Sequence, residues 1–238
     1  MDEFNITQCK GSCYSKVSPT DAITAYRSAI TLLCDSSRLT QAAKLSKQVA
    51  EILEKEIEND AQTATLAIES YEQAAELFTL EDAKSQASSC LAKVAELSSA
   101  ALDPPDLIKA AQLYEDLGKG CLDSNLLKYN AKGYFVQAIL CHLANGDAVA
   151  SSQALGRYMN MDFTFPDSRE GKFCTSLVEC LENYDTEGFA TACFEFDRIS
   201  KLDGWKTTML VKAKRCIESE GEGGLGVMEE SGDDVDLT

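Results

Sequence analysis

The sequence predicts an all-α protein assembled from stacked helical hairpins. Three observations carry that expectation. Proline is confined to Pro19, Pro104, Pro105 and Pro166 among 238 residues, and alanine and leucine are abundant, which favours helix because proline and glycine are the costly residues in a helix interior. Three segments share one pattern, AITAY ending at Tyr26, AIESY at Tyr71 and AAQLY at Tyr114, each with alanine four residues before the tyrosine, at spacings of 45 and 43. Between them, AAKLSKQVAEIL from Ala42 and ASSCLAKVAEL from Ala87 place Val-Ala-Glu at 49–51 and 94–96, again 45 apart.

A fixed period of this length with two helical patterns per unit marks a helical-hairpin solenoid, in which no unit buries its apolar stripe alone. Alanine lets one helix approach the next, and tyrosine fills the gap between pairs. The units exceed the 34 residues of tetratricopeptide repeats. The expected fold is therefore a right-handed, tetratricopeptide-like helical-hairpin solenoid with helices of roughly 20 residues, about 30 Å each.

Taken in order, helices are expected at 19–34, 38–58, 61–79, 81–101, 106–118, 124–144, 147–159, 168–184, 186–200 and 204–218. Ser18-Pro19 opens the first, since a hydroxyl cap followed by proline is an N-terminal signal. Asp103-Pro104-Pro105-Asp106 is a stop followed by a start. Asp123-Ser124 supplies capping side chains, Asn145-Gly146-Asp147 breaks the next helix, and MDFTFPDS (161–168) is a loop ahead of a capping Asp167 or Ser168. Beyond Phe165 the period is lost. Residues 1–165 thus read as the repeat array and 166–218 as a C-terminal helical bundle that caps it. Residues 219–238 combine glycine with dense negative charge and few apolar side chains, the signature of a disordered acidic tail.

The chain carries 22 Lys and Arg against 39 Asp and Glu, a net charge of −17. That balance argues against non-specific binding to nucleic acid or anionic lipid by the chain as a whole. The stretch Ile217–Thr238 holds eight of the acids and no Lys or Arg, so the acidity is uneven and a local basic face can coexist with it. The start MDEFNITQ lacks a secretory signal and no apolar run is long enough to span a bilayer, pointing to a cytoplasmic protein. Ten cysteines without a C-x-x-C pair read as reduced, mostly buried small hydrophobes. Zinc needs clustered ligands, and one histidine offers little choice.

That histidine, His142, lies in LLKYNAKGYFVQAILCHL (126–143) on or beside a stripe of Leu127, Ala131, Tyr134 or Phe135, Ala138 and Cys141. Acid–base catalysis needs positioned partners, and none is evident, so a packed histidine is expected and neither catalytic residues nor a cofactor or metal site is assigned. Glu179 and Glu182 read equally as surface acids, and Gly-x-Gly-Gly-x-Gly in the tail follows a helix and sits among acids that would repel a pyrophosphate. Trp205 is expected to anchor the terminal bundle.

Lysines fit the repeat better. Equivalent positions on successive helices of a solenoid line one surface, so Lys44 and Lys47, then Lys93, then Lys128 and Lys132 would form a basic strip for an elongated acidic partner. The plainer alternative is a solvated helix flank.

DSNLLKYNAKGYFVQAILCHL, PDSREGKF and ISKLDGWKTTMLVKAK, with DAITAYRSAITLL and YEQAAELF before them, closely resemble the α-type soluble NSF attachment proteins, over about Lys10 to Ile217. The resemblance implies an adaptor, not an enzyme. Several copies would wrap a four-helix SNARE bundle and recruit a hexameric NSF-type ATPase that dismantles it, in vesicle-mediated transport and membrane fusion. On this resemblance the SNARE-facing positions are Lys16, Arg38, Lys44 and Lys93, with Lys128 and Lys132 beside them. The ATPase-facing positions are Asp147, Glu179, Glu182, Asp236 and Leu237. A family lysine is Ser89 here and a family glutamate is Asn183. The family's apolar membrane-touching loop and roughly two leading hairpins have no counterpart in this sequence, and an exposed apolar edge and a tendency to associate are expected at that end. The implied location is peripheral, on the cytosolic face of membranes, with no nucleic-acid partner. A general helical scaffold for another acidic helical partner is the alternative reading.

Overall fold

The computed structural model describes residues 18–57, 61–124 and 127–223. Its described residues form ten helices and no strand. They are α1 (Pro19–Asp35), α2 (Leu39–Lys55), α3 (Ala61–Leu80), α4 (Lys84–Ala100), α5 (Leu107–Leu122), α6 (Lys128–Ala144), α7 (Ala148–Met161), α8 (Arg169–Glu182), α9 (Thr186–Ile199) and α10 (Gly204–Gly223). Lys16, Asp236 and Leu237 lie outside the described residues. The chain divides into two compact units, Met1–Cys141 and His142–Thr238.

In the first unit each helix packs on the next, α1 on α2, α2 on α3, α3 on α4 and α4 on α5. The repeat landmarks explain why. Ala22, Ala67 and Ala110 are fully covered, and Tyr26, Tyr71 and Tyr114, one turn further on, are buried on the first helix of each hairpin. Val49 and Ala50 of α2 and Val94 and Ala95 of α4 are equally buried and fill the second-helix side. Small side chains let the backbones approach, so the aromatic rings close what would otherwise be voids. Among the buried polar residues, the Ser46 hydroxyl hydrogen-bonds to the Ser70 carbonyl at 3.2 Å and to Gln73 Oε1 at 2.7 Å, joining α2 to α3.

The hairpin turns share a backbone device. Ser37, Asp82, Gly146 and Tyr184 each sit at the middle of a three-residue connection with φ between 54° and 73°. At three of these turns the next residue's N–H reaches the carbonyl five residues back: Arg38 to Leu33, Ala83 to Phe78, and Asp185 to Cys180. That is the Schellman closure of a helix, in which a left-handed residue lets the chain satisfy orphan carbonyls. Ser37 and Asp82 are 45 residues apart, so the turn obeys the same period as the core.

Caps fall largely where the sequence places them. Side chains of Ser18, Asp106, Asp147 and Ser168 accept from the N–H three residues on, at 2.8–3.4 Å. Helix α4 starts at Lys84 rather than 81, because left-handed Asp82 cannot be helical. Helix α5 continues to Leu122 rather than ending at 118, since Gly118 is a packing position: a Cβ there would press on the Phe135 ring at 2.5 Å. Helix α6 is buried on several sides, through Ala131, Phe135, Val136, Ile139, Leu140 and Leu143, whereas Leu127, expected on its buried stripe, is 43% exposed. At the front of the described chain, α1 presents Thr20, Asp21, Thr24, Arg27, Ser28 and Thr31 to solvent, a polar face where an apolar edge was expected.

In the second unit α7 packs on α8, α8 on α9 and α9 on α10, around Phe165, Phe173, Leu177, Phe189, Met209 and Ala213. Gly171 is required here because a Cβ would run into the Phe165 carbonyl. Trp205 is half-buried beside buried Met209 and Leu210. Helix α10 runs through Gly223, five residues past the expected boundary of the tail.

Candidate functional site

On α2, Lys44, Lys47, Glu51 and Glu54 follow one another at intervals of three or four and therefore share a stripe. Lys44 is exposed, and Lys47 lies 4.0 Å from Glu51. Lys93 of α4 reaches this stripe, with Nζ 2.9 Å from Glu54 Oε1 and 3.1 Å from Glu96 Oε2. The second helices of the first two hairpins thus present their lysines on one wall. Along that wall the charge is mixed rather than continuously basic.

Beneath the lysine, Tyr71 of α3 donates to Glu54 Oε2 at 2.6 Å. Burial works against the ionised Glu54, but hydrogen bonds from Tyr71 and Lys93 outweigh it and hold the carboxyl below its usual range. Burial likewise opposes the Lys93 charge, yet Glu54 and Glu96 outweigh it and raise the ammonium above its usual range. For Tyr71, burial first and Glu54 second push the phenol far upward, so it stays a donor. Lys93 is therefore a tether between helices, committed to two carboxylates. Sequence spacing located it and could not show its partner on α2, because Glu54 lies 39 residues away.

The other basic positions differ in setting. Arg38 is exposed at the start of α2, and among the described residues neither it nor Lys44 has an ion-pair partner. Ser89 is exposed on α4, one turn before Lys93. Lys128 is exposed and Lys132 half-buried in the first turns of α6, which meets α5 where Tyr134 stacks on Tyr114 with ring centroids 6.4 Å apart.

The acids of the second unit converge. Asp147 caps α7, accepting from Ala150 N–H at 2.8 Å. Glu179 and Glu182 are exposed in the last turn of α8. Helices α7 and α8 are joined by residues 162–168 and pack together, so the start of one and the end of the other lie at the same end of the bundle. The first turn of α9 adds exposed Glu187, and Tyr184, 51% exposed, stands between. Sequence reasoning did not single out Tyr184 or Glu187, although the run of acids around an aromatic in LENYDTEG marks this exposed end. Asn183 closes α8 by donating its side-chain amide to the Glu179 carbonyl at 2.8 Å.

His142 is half-buried on α6, and among the described residues no group of three His, Cys, Asp or Glu could hold a metal ion. The eight described cysteines carry no disulfide. Burial raises the thiols of Cys90, Cys121, Cys174 and Cys180, and pushes Cys193 up to about 11, away from the reactive thiolate. No helix of the described residues is long and apolar enough to cross a membrane.

Paired helices with a mixed-charge wall on one unit and an acidic end on the other define a helical-repeat protein of the binding kind. A family profile described as "Soluble NSF attachment protein, SNAP" matches residues 9–218, and the chain belongs to that family. It is 40% identical to the alpha-soluble NSF attachment protein of Vitis vinifera over 88% of this chain and 70% of the relative. It is 39% identical to the beta-soluble NSF attachment protein of Bos taurus over 90% and 69%, and 37% identical to the alpha form of Homo sapiens over 89% and 69%.

Proposed function

We propose that this protein is an adaptor that binds assembled SNARE complexes and recruits an NSF-type hexameric ATPase to take them apart in vesicle fusion. The observation that carries the reading is the family match from residue 9 to residue 218, supported by relatives whose names make them NSF attachment proteins. The adaptor hydrolyses nothing itself. It works in several copies, peripherally on the cytosolic face of membranes.

On this reading residues 1–165 act as the repeat array, 166–218 as the terminal bundle and 219–238 as the acidic tail. The SNARE bundle, an acidic rod, would be gripped by Lys16, Arg38, Lys44, Lys93, Lys128 and Lys132. Lys44 and Arg38 are better placed than Lys93, whose charge is spent on Glu54 and Glu96. The ATPase would take Asp147, Glu179, Glu182, Asp236 and Leu237, with Tyr184 and Glu187 beside them. Single exposed ion pairs contribute about 0–1 kcal/mol, so the hold rests on several copies acting together.

The test is an ATPase assay with NSF and a SNARE complex. The chain should stimulate hydrolysis, and Glu179→Lys with Glu182→Lys should lower the stimulation at unchanged SNARE pulldown. Absence of stimulation, with SNARE pulldown also absent, would sink the reading.

A further inference from the structure

Helices α8 and α9 leave a groove of about 260 Å³ between them on the second unit. Its floor is apolar: Phe173 and Phe196 stack with ring centroids 4.1 Å apart and planes 16° apart, and Ile199, 63% exposed, forms one edge. Arg169 and Lys172, both exposed, stand on the α8 wall, and Glu195 stands on the α9 wall. Arg169 has Glu170 at 3.6 Å, too long for a direct hydrogen bond, and among the described residues Lys172 has no ion-pair partner. A side chain that fills this groove should be apolar, and its flanking residues should be acidic.

We propose that the groove is the docking site of this chain's own last fifteen residues, 224–238. Their sequence has the required chemistry: Val235 and Leu237 alternate with Asp234 and Asp236, Glu229 and Glu230 precede them, and there is no Lys or Arg. The topology allows the reach. Helix α10 packs on α9 and ends beyond Cys216, whose Sγ lies 3.7 Å from the Ala144 carbonyl. It therefore ends on the side of the bundle where Asp147 opens α7. From there the segment must return about 30 Å, the length of a 20-residue helix, and fifteen residues extend to about 50 Å.

Charge also sets the direction. The segment leaves α10 at the end that carries Glu179, Glu182 and Glu187, which repel it. Arg169 and Lys172, together with the positive N-terminal end of α8, lie at the opposite end. The acidic terminus is thereby drawn along the groove rather than held at its origin. This docking needs no other protein and so stands apart from the adaptor reading; where that reading holds, the docked segment keeps Leu237 covered until a partner displaces it.

The experiment is cleavage of the full chain by a glutamate-specific protease, following release of residues 231–238 by mass. At low salt, the combined change Arg169→Glu and Lys172→Glu should speed release about threefold, and in 0.5 M salt the two chains should be cut alike. A second variant, Asp233→Asn, Asp234→Asn and Asp236→Asn, lies outside the helical body and should give the same salt-dependent acceleration. Equal release rates at low salt for the tail variant and the unaltered chain would overturn the proposal. Protection that weakens on tenfold dilution would overturn it too, because the groove would then be filled by a second copy.

Discussion

Lys93 Nζ sits 2.9 Å from Glu54 Oε1, an ion pair that ties α4 to α2 across the intervening helix. Both side chains are about a third exposed, and Tyr71 approaches the same carboxylate from α3. One carboxylate thus engages three consecutive helices. The position that spacing selects for binding therefore also holds the array together.

Charge reversal separates the two roles. Lys44→Glu should leave the melting curve within about 0.5 kcal/mol of the unaltered protein, as exposed substitutions do, while SNARE-bundle pulldown falls and becomes more sensitive to salt. Lys93→Glu places a third carboxylate against Glu54 and Glu96 and should cost about 1–2 kcal/mol. Thermal melts run beside the pulldown check both. Equal stability of the two variants would remove the tether.

The Glu54 carboxyl is held below its ordinary value of 4.5. A group whose folded value is depressed stabilises the fold above the unfolded value and loses that contribution as pH falls through the folded one. Stability should therefore be flat with respect to this group at neutral pH and decline below about pH 4.5. Urea titrations between pH 6 and pH 3 should show a smaller acid loss for Glu54→Gln than for the unaltered chain.

The left-handed turn positions offer gains. Tyr184 has φ of 55° and Ser37 of 57°, conformations that a residue bearing a Cβ adopts at a cost. Tyr184→Gly and Ser37→Gly should each raise stability by about 0.5–1 kcal/mol, read as an upward shift in the urea midpoint, because glycine meets no such strain. Gly146→Ala, at φ of 73°, should lower it by about 1 kcal/mol.

Two helical glycines should respond in opposite senses to the same change. Gly171→Ala drives a methyl into the Phe165 carbonyl and should cost about 1–3 kcal/mol. Gly156→Ala on α7 meets open space and should stabilise by about 0.5–1 kcal/mol through helix propensity. Differential scanning calorimetry of the two variants gives both signs in one series.

Much of this molecule was legible because its period is carried by residues that packing cannot spare. Ala22, Ala67 and Ala110 and their tyrosines are both the repeat and the core, so reading one is reading the other. Four of the ten helix starts were legible through Ser18, Asp106, Asp147 and Ser168, whose side chains act on N–H groups only three residues away. The failures were long-range or conformational. Gly118 looked like a stop because its partner, Phe135, arrives from another helix. Asp82 looked helical because nothing local announces a left-handed backbone. Lys93 looked available because its carboxylates come partly from α2, and the groove floored by Phe173 and Phe196 follows from the pairing of α8 with α9, which no spacing encodes.

The matched turns at Ser37 and Asp82 make the first unit modular. Excising residues 37–81 would join Ser36 to Asp82, leaving the new junction with the same backbone geometry and setting Val94 and Ala95 where Val49 and Ala50 had been. A chain shortened by one whole period keeps its register, whereas loss of 44 or 46 residues would set the joined helix one residue out of phase, about 100° around its axis. Length in this protein is therefore quantised, and change in it is tolerated in steps of one hairpin.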